Sequence, residues 1–167
     1  MEPEEYNKTL TFKPHKGGTK IFVETGIDRG CGIEAALECG FEQIHSVDIE
    51  SGWYNQALDK FSLNKEVNLY LGDSGRLLED IIKDINEPAF FWLDAHYGGE
   101  DAKRVTFKEL DIIEAHPIKT HTILVDDVDI YFNKEQLENR VKEINPNYKI
   151  SYEPTWRNPQ AVFVAKI

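Results

Sequence analysis

The stretch Lys20–Ala36, KIFVETGIDRGCGIEAA, constrains the fold more than any other part of the chain. It opens on the apolar run Ile21-Phe22-Val23 and turns through Glu24, Gly26, Gly30 and Gly32. It then continues with Ile33, Ala36 and Leu37 at helical spacing. A strand, a glycine-rich turn and a helix start, in that order, form a nucleotide-binding βα unit. The spacing is G-x-x-x-G-x-G, whereas dinucleotide binders carry G-x-G-x-x-G, and an acid, Glu24, stands just ahead of the first glycine. Both departures point away from a dinucleotide and towards a smaller, cationic cofactor.

The rest of the chain repeats the unit. Strands are predicted at Lys20–Thr25, Gln43–Asp48, Val67–Leu71, Ala89–Leu93 and Thr122–Val125. Helices are predicted at 32–39, 53–63, 75–85, 106–115 and 134–144. The run AFFWL at 89–93 is apolar on both faces, as a central parallel strand is. A loop is expected at 96–104. Two last strands, 148–153 and 161–165, are separated by a turn holding Pro154, Asn158 and Pro159, and they read as an antiparallel pair. Five βα alternations imply a parallel sheet covered on both faces, in one domain spanning 20–167. Residues 1–19 read as a loosely docked N-terminal arm, because Pro14 and Gly17-Gly18 interrupt regular structure.

Composition narrows the partners. A net charge of −11 repels nucleic acid unless a basic patch overrides it, and the chain shows no Lys/Arg cluster. No apolar run approaches the roughly 18 residues of a membrane span, and the acidic start, MEPEEYNKTL, has no signal-peptide pattern, so a cytoplasmic location is expected. Cys31 and Cys39 lie ~12 Å apart along one helix, too far for a disulfide, and read as reduced thiols.

Ligands of open α/β sheets bind outside the carboxyl ends of the strands. All five predicted parallel strands end in acids: Glu24, Asp48, Asp73, Asp94 and Asp126-Asp127. Clustered carboxylates repel one another unless cations lie among them, so the site calls for a cationic ligand, a metal or both. Asp48 lies 24 residues beyond Glu24, near the spacing at which an acid accepts ribose hydroxyls; it can equally begin the next helix. Asp73 and Ser74 can meet an adenine amino group or cap a helix. Glu24 can meet a ligand ammonium, and Gly26 and Gly30 allow close backbone approach. Asp94, Asp126 and Asp127 make an oxygen-rich set suited to Mg²⁺, or else turn and cap residues. His96 is a candidate general base or further ligand. Trp53 can stack on adenine, Trp92 reads as core, and Tyr97 and Trp156 can border a substrate pocket.

These motifs, VETGIDRGCG, SVDIE, GDS, FFWLDAH and ILVDD, together resemble the class I S-adenosylmethionine-dependent methyltransferases. Within the class the chain is most similar to the metal-dependent small-molecule O-methyltransferases, whose first motif E-x-G-x-x-x-G is matched by Glu24, Gly26 and Gly30. The resemblance implies a Rossmann-like three-layer α/β sandwich around a seven-stranded sheet in the order 3-2-1-4-5-7-6, with the last strand antiparallel. It implies S-adenosylmethionine bound by Glu24, Gly26, Gly30, Asp48, Asp73 and Ser74, and Mg²⁺ bound by Asp94, Asp126 and Asp127. It also implies methylation of a hydroxyl on a small-molecule substrate, with His96 and Asp94 at the reacting atoms, in a possible homodimer. The lysine that often follows the strand-four Asp in catechol-type members is missing from AHYGGE, 95–100, which leaves His96 as the base. The chain also lacks the N-terminal helices and insertions that cover the substrate in most members. A non-catalytic domain that binds the cofactor within an assembly is the alternative; an NAD-linked enzyme and a metal-dependent phosphoester hydrolase fit the glycine motif less well.

Overall fold

The structure is a computed structural model that describes residues 7–95 and 100–167. Its elements are α1 (Lys8–Lys16), β1 (Ile21–Thr25), α2 (Cys31–Glu38), β2 (Gln43–Asp48), α3 (Ser51–Lys60), β3 (Val67–Leu71), α4 (Ser74–Ile82), β4 (Ala89–Leu93), α5 (Glu100–Ala115), β5 (Thr122–Val125), α6 (Val128–Tyr131), α7 (Lys134–Ile144), β6 (Lys149–Glu153) and β7 (Val162–Lys166). One seven-stranded sheet runs in the order β3-β2-β1-β4-β5-β7-β6, the order that the resemblance implies. Pairing is parallel from β3 through to β5, and β7 lies antiparallel to both β5 and β6.

The period-two alternation of the strands sorts their side chains onto two faces. Ile21, Val23, Phe91, Leu93, Ile123 and Val125 point to one side and pack with Leu78 and Ile82 of α4, Leu110 and Ile113 of α5, and Leu137 and Val141 of α7. Phe22, Ile44, Phe90, Trp92 and Leu124 point to the other and meet Ile33 and Ala36 of α2 and Ala57 of α3. Each strand of the β1-β4-β5 centre is buried on both faces, so a continuous apolar run is what these positions require. Gly40 closes α2: its N–H donates to the Leu37 carbonyl and that of Phe41 to the Ala36 carbonyl, a Schellman motif.

Three local readings need correction. The segment expected as an arm contains helix α1, capped by the Asn7 side chain, which accepts from the Thr9 N–H at 3.0 Å. Pro14 lies within α1, but only one turn from its end, where the one amide it lacks would have bonded Leu10. Phe12 overrides that loss. It is fully buried, with its ring 5.0–5.4 Å from the rings of Phe22, Phe90 and Trp92. Next, α5 begins by Glu100, inside the expected loop, because Ala102, Thr106, Leu110 and Ile113 form one buried stripe. Last, the single turn α6 went unpredicted, since four residues are too few to show a period.

Phe12→Ala should lower unfolding stability by about 3–5 kcal/mol, the usual cost of removing a buried aromatic. Urea denaturation followed by far-UV circular dichroism measures this; a change below about 0.5 kcal/mol, as for a surface site, would contradict the docking of α1.

Candidate active site

The carboxyl ends of β1–β4 open onto a cavity of about 460 Å³, within the usual size of a small-ligand pocket. Gly26 closes it on the β1 side. Its φ is +90°, and a Cβ there would lie 2.6 Å from the Asp94 carbonyl oxygen, so the turn passes against β4 only without a side chain. On the β2 side stand Asp48, Ile49 and Trp53; on the β3 side, Gly72, Asp73 and Ser74. Asp94 and Ala95 form the β4 wall, and Asp101, Arg104, Val105 and Lys108 of α5 line the remaining side.

Asp48 is tied to two loops at once. Its Oδ2 accepts the backbone N–H groups of Ile27 (2.7 Å) and Asp28 (3.2 Å), and its Oδ1 accepts that of Glu50 (2.8 Å). The glycine turn is thus clamped to the tip of β2. Helix α3 starts from Glu50, not Asp48. Asp73 does cap α4, accepting from the Gly75 N–H at 2.9 Å, and Ser74 donates its hydroxyl hydrogen to Glu109 Oε1 of α5 at 2.6 Å. Both still face the cavity.

Glu24 and Gly30 are placed differently. Glu24 is 1% exposed and lies beneath the first turn of α2, outside the cavity lining. Ser46 donates to its Oε1 at 2.6 Å, and its Oε2 has no hydrogen-bond partner among the described residues. Gly32 exists for this carboxylate: a Cβ at 32 would overlap Glu24 Oε2. Burial pushes the Glu24 carboxyl up to about 8, against the opposing effects of Lys8 and the Ser46 hydrogen bond. Gly30 caps α2 at φ +81° and packs against the Phe61 ring, also away from the cavity.

The second acidic group is divided. Lys8 of α1 reaches the carboxyl end of β4, and its Nζ lies 2.9 Å from Asp94 Oδ2 and 4.8 Å from the centre of the Trp92 ring. Asp126 is buried nearby, its carboxyl pushed up to about 7 by burial and by Asp94, with Lys8 acting in the opposite direction. Asp127 takes a left-handed conformation, φ 54°, and its carboxylate is held by Arg157 at 2.5 Å, which also pairs with Asp129. Among the described residues no group of three or more His, Cys, Asp or Glu side chains is arranged to hold a metal ion. The expected Asp94, Asp126 and Asp127 centre therefore does not fit a metal: one carboxylate is committed to a guanidinium and another to an ammonium. His96 and Tyr97 lie outside the described residues. Trp92 is core, as expected, and Trp156 is exposed and absent from the cavity lining.

No family model matches the sequence, and no curated protein matches it. Solved structures do. The methyltransferase domain of the bacterial protein CtHen1 gives a TM-score of 0.66 at 12% identity, over 96% of this chain and 98% of its own. CalS10 with bound S-adenosylmethionine, an amino pentose methyltransferase of Micromonospora echinaspora involved in calicheamicin biosynthesis, gives 0.66 at 10% identity, over 95% and 87%. The Podospora anserina methyltransferase PaMTH1 with bound S-adenosylhomocysteine gives 0.60 at 15% identity, over 95% and 75%. The fold is that of the class I S-adenosylmethionine-dependent methyltransferases.

Within this methyltransferase fold the cavity occupies the crevice at the ends of β1–β4, the ligand position of such sheets. The Gly26 cradle, which a Cβ would fill, and the acids at the tips of β2 and β3 fit a cationic nucleoside there. Sequence reasoning missed Lys8 and the α5 side of the cavity. The α5 residues were detectable, because the stripe Ala102–Thr106–Leu110 extends the helix back to them. Lys8 had no local signal, since only tertiary packing brings it to Asp94.

The Glu24 carboxyl is raised from the ordinary 4.5 to about 8 in the folded chain, so the unfolded chain gives up this proton first as pH rises. Its contribution to stability is complete below pH ~4.5 and is lost as pH climbs through ~8. Wild-type melting temperature should fall between about pH 5 and 8, and Glu24→Gln, which mimics the neutral acid, should flatten that fall. Equal slopes in the two proteins, read by thermal denaturation across that range, would contradict the assignment.

Proposed function

We propose that the chain binds S-adenosylmethionine in the β1–β4 cavity and transfers its methyl group to a hydroxyl of a small molecule. The observation that carries this reading is the cavity itself, at the ligand crevice of the methyltransferase fold, with a side-chain-free turn at Gly26 and acids at the tips of β2 and β3. When bound, the cofactor would supply an electrophilic sulfonium methyl whose leaving group is a neutral thioether.

The protein's part is binding, orientation and proton transfer. Asp48, already fixed by three backbone N–H groups, retains lone pairs for ribose hydroxyls. Asp73, beside Ser74, would accept from the adenine amino group, and Trp53 and Ile49 would supply apolar surface to the base. The backbone at Gly26 would hold the amino-acid portion. Asp94, at the β4 wall and paired with Lys8, would orient the substrate hydroxyl and take up the proton it loses. Its main chain is anchored by the N–H, which donates to the Thr25 carbonyl at 3.1 Å. No step is drawn through a divalent metal, because Asp94 is paired with Lys8 and Asp127 with Arg157. A net charge of −11 favours a small neutral or cationic substrate over a polyanion.

Isothermal titration calorimetry with S-adenosylhomocysteine should show one site per chain. Asp48→Ala should weaken binding by about tenfold or more, the equivalent of one lost charge-assisted hydrogen bond. Transfer of radiolabelled methyl to a panel of small-molecule hydroxyl acceptors should fall by roughly 10²-fold in Asp94→Asn, the scale of general base catalysis, with cofactor affinity retained. No binding of S-adenosylhomocysteine overturns the reading; binding without transfer to any acceptor favours the non-catalytic domain.

A further inference from the structure

We infer that Lys8 is a built-in cation that occupies the charge position between β4 and β5, so that its ammonium, not a divalent ion, holds the Asp94 carboxylate at the cavity wall. The inference stands independently of the methyl-transfer reading.

Three features place it there. The first is geometry: Nζ forms a 2.9 Å ion pair with Asp94 Oδ2, and its charge is felt by the buried Asp126 and Glu24 carboxyls as well. The second is the surface behind it. The ammonium lies over the face of Trp92, which is fully buried in β4, and an aromatic face attracts a cation while offering no competing hydrogen bond. The third is rigidity. The helix that carries Lys8 is fixed by the Phe12 ring in the core, by Thr9 Oγ1 donating to Glu38 at 2.7 Å, and by His15 paired with Glu153 at 2.7 Å. A side chain that must order itself on a flexible arm would lose most of its pairing energy to entropy; one held on a docked helix does not.

The same features explain why Asp127 can turn away. Two carboxylates at adjacent strand ends, Asp94 and Asp126, are compensated by one ammonium that the chain brings itself. The third is then available to Arg157, which ties the segment after β6 to the start of α6. Lys8 is thus a positioning residue: it does not line the cavity, and it acts through Asp94, which does.

Removing the ammonium should uncover a cation site. Lys8 is the first residue of α1, and Phe12 holds the helix, so Lys8→Ser should keep the fold. Mn²⁺ is the probe, followed by paramagnetic broadening of backbone amide signals. In wild type, no broadening should centre on Asp94 and Asp126. In Lys8→Ser it should, with Mn²⁺ affinity raised by about tenfold or more; adding Asp94→Asn should remove the gain, and Lys8→Arg should show none. Selective broadening at Asp94 and Asp126 in the wild-type protein overturns the inference, whatever the stability of the variant. So does a folded Lys8→Ser that gains nothing. Titration of the same proteins with S-adenosylhomocysteine separates the two proposals: loss of that binding in wild type removes the methyltransferase reading and leaves the Mn²⁺ result standing.

Discussion

The 2.9 Å contact between the Lys8 ammonium and the Asp94 carboxylate is where the electrostatics of this fold are resolved. Parallel strands bring all their carboxyl ends to one edge, and here each parallel strand from β1 to β5 ends in an acid or is followed closely by one. Carboxylates so close in a partly dry environment repel one another and lose hydration. The chain answers in different ways at different strands. Glu24 is buried with its carboxyl pushed up, Asp48 accepts three backbone N–H groups, Asp73 caps a helix, and Asp127 binds a guanidinium. Asp94 is the acid that both lines the cavity and receives a cation from another part of the chain.

The glycine turn follows from the same arrangement. Gly26 lets the chain pass against the Asp94 carbonyl, and the turn beyond it offers the Ile27 and Asp28 N–H groups to Asp48. Gly32 leaves room for the Glu24 side chain under α2. The motif therefore packs β1 between β2 and β4 as much as it shapes a ligand surface, and its first and third glycines answer to acids on different strands. The acid ahead of the first glycine serves as a buried strut under α2, and Gly26 and Asp28 of the turn line the cavity.

The sheet was legible because its centre is redundant. AFFWL, bounded by Pro88 and Asp94, reads as a strand buried on both faces, and the alternation of side chains in IFVET and QIHSVD assigns each to a face once β4 is central. Asp48, Asp73, Ser74 and Gly26 were legible as cavity residues because topology alone puts strand ends at the ligand crevice. Glu24 misled for a physical reason: a strand-end acid can face in or out of the ligand site, and the small residue that lets it face inward, Gly32, looks in the sequence like one more turn glycine. Asp127 misled as well, because it takes a left-handed conformation and pairs with Arg157, and no sequence pattern announces that. Helix α1 was hidden by Pro14, whose cost is local and smaller than the burial of Phe12, a contact formed only once β1 and β4 are in place.

Helix α1 then changes what the N-terminal segment is for. Read as an arm, it could only cover or uncover a site formed by the rest of the chain. Docked through Phe12, it supplies one of the site's charges, and the aromatic cluster of Phe12, Phe22, Phe90 and Trp92 becomes the mechanical link between core packing and cavity electrostatics. Trp92 joins both: its ring meets that of Phe12 at 5.0 Å in a T-shaped contact, and its face carries the Lys8 ammonium. A substitution that loosens the cluster would displace the cation that Asp94 depends on, even though no residue of the cluster lines the cavity. Stability and site geometry are therefore coupled through one helix, and that coupling gives the chain a fixed positive charge at the ends of β4 and β5 with no exchangeable ion required to supply it.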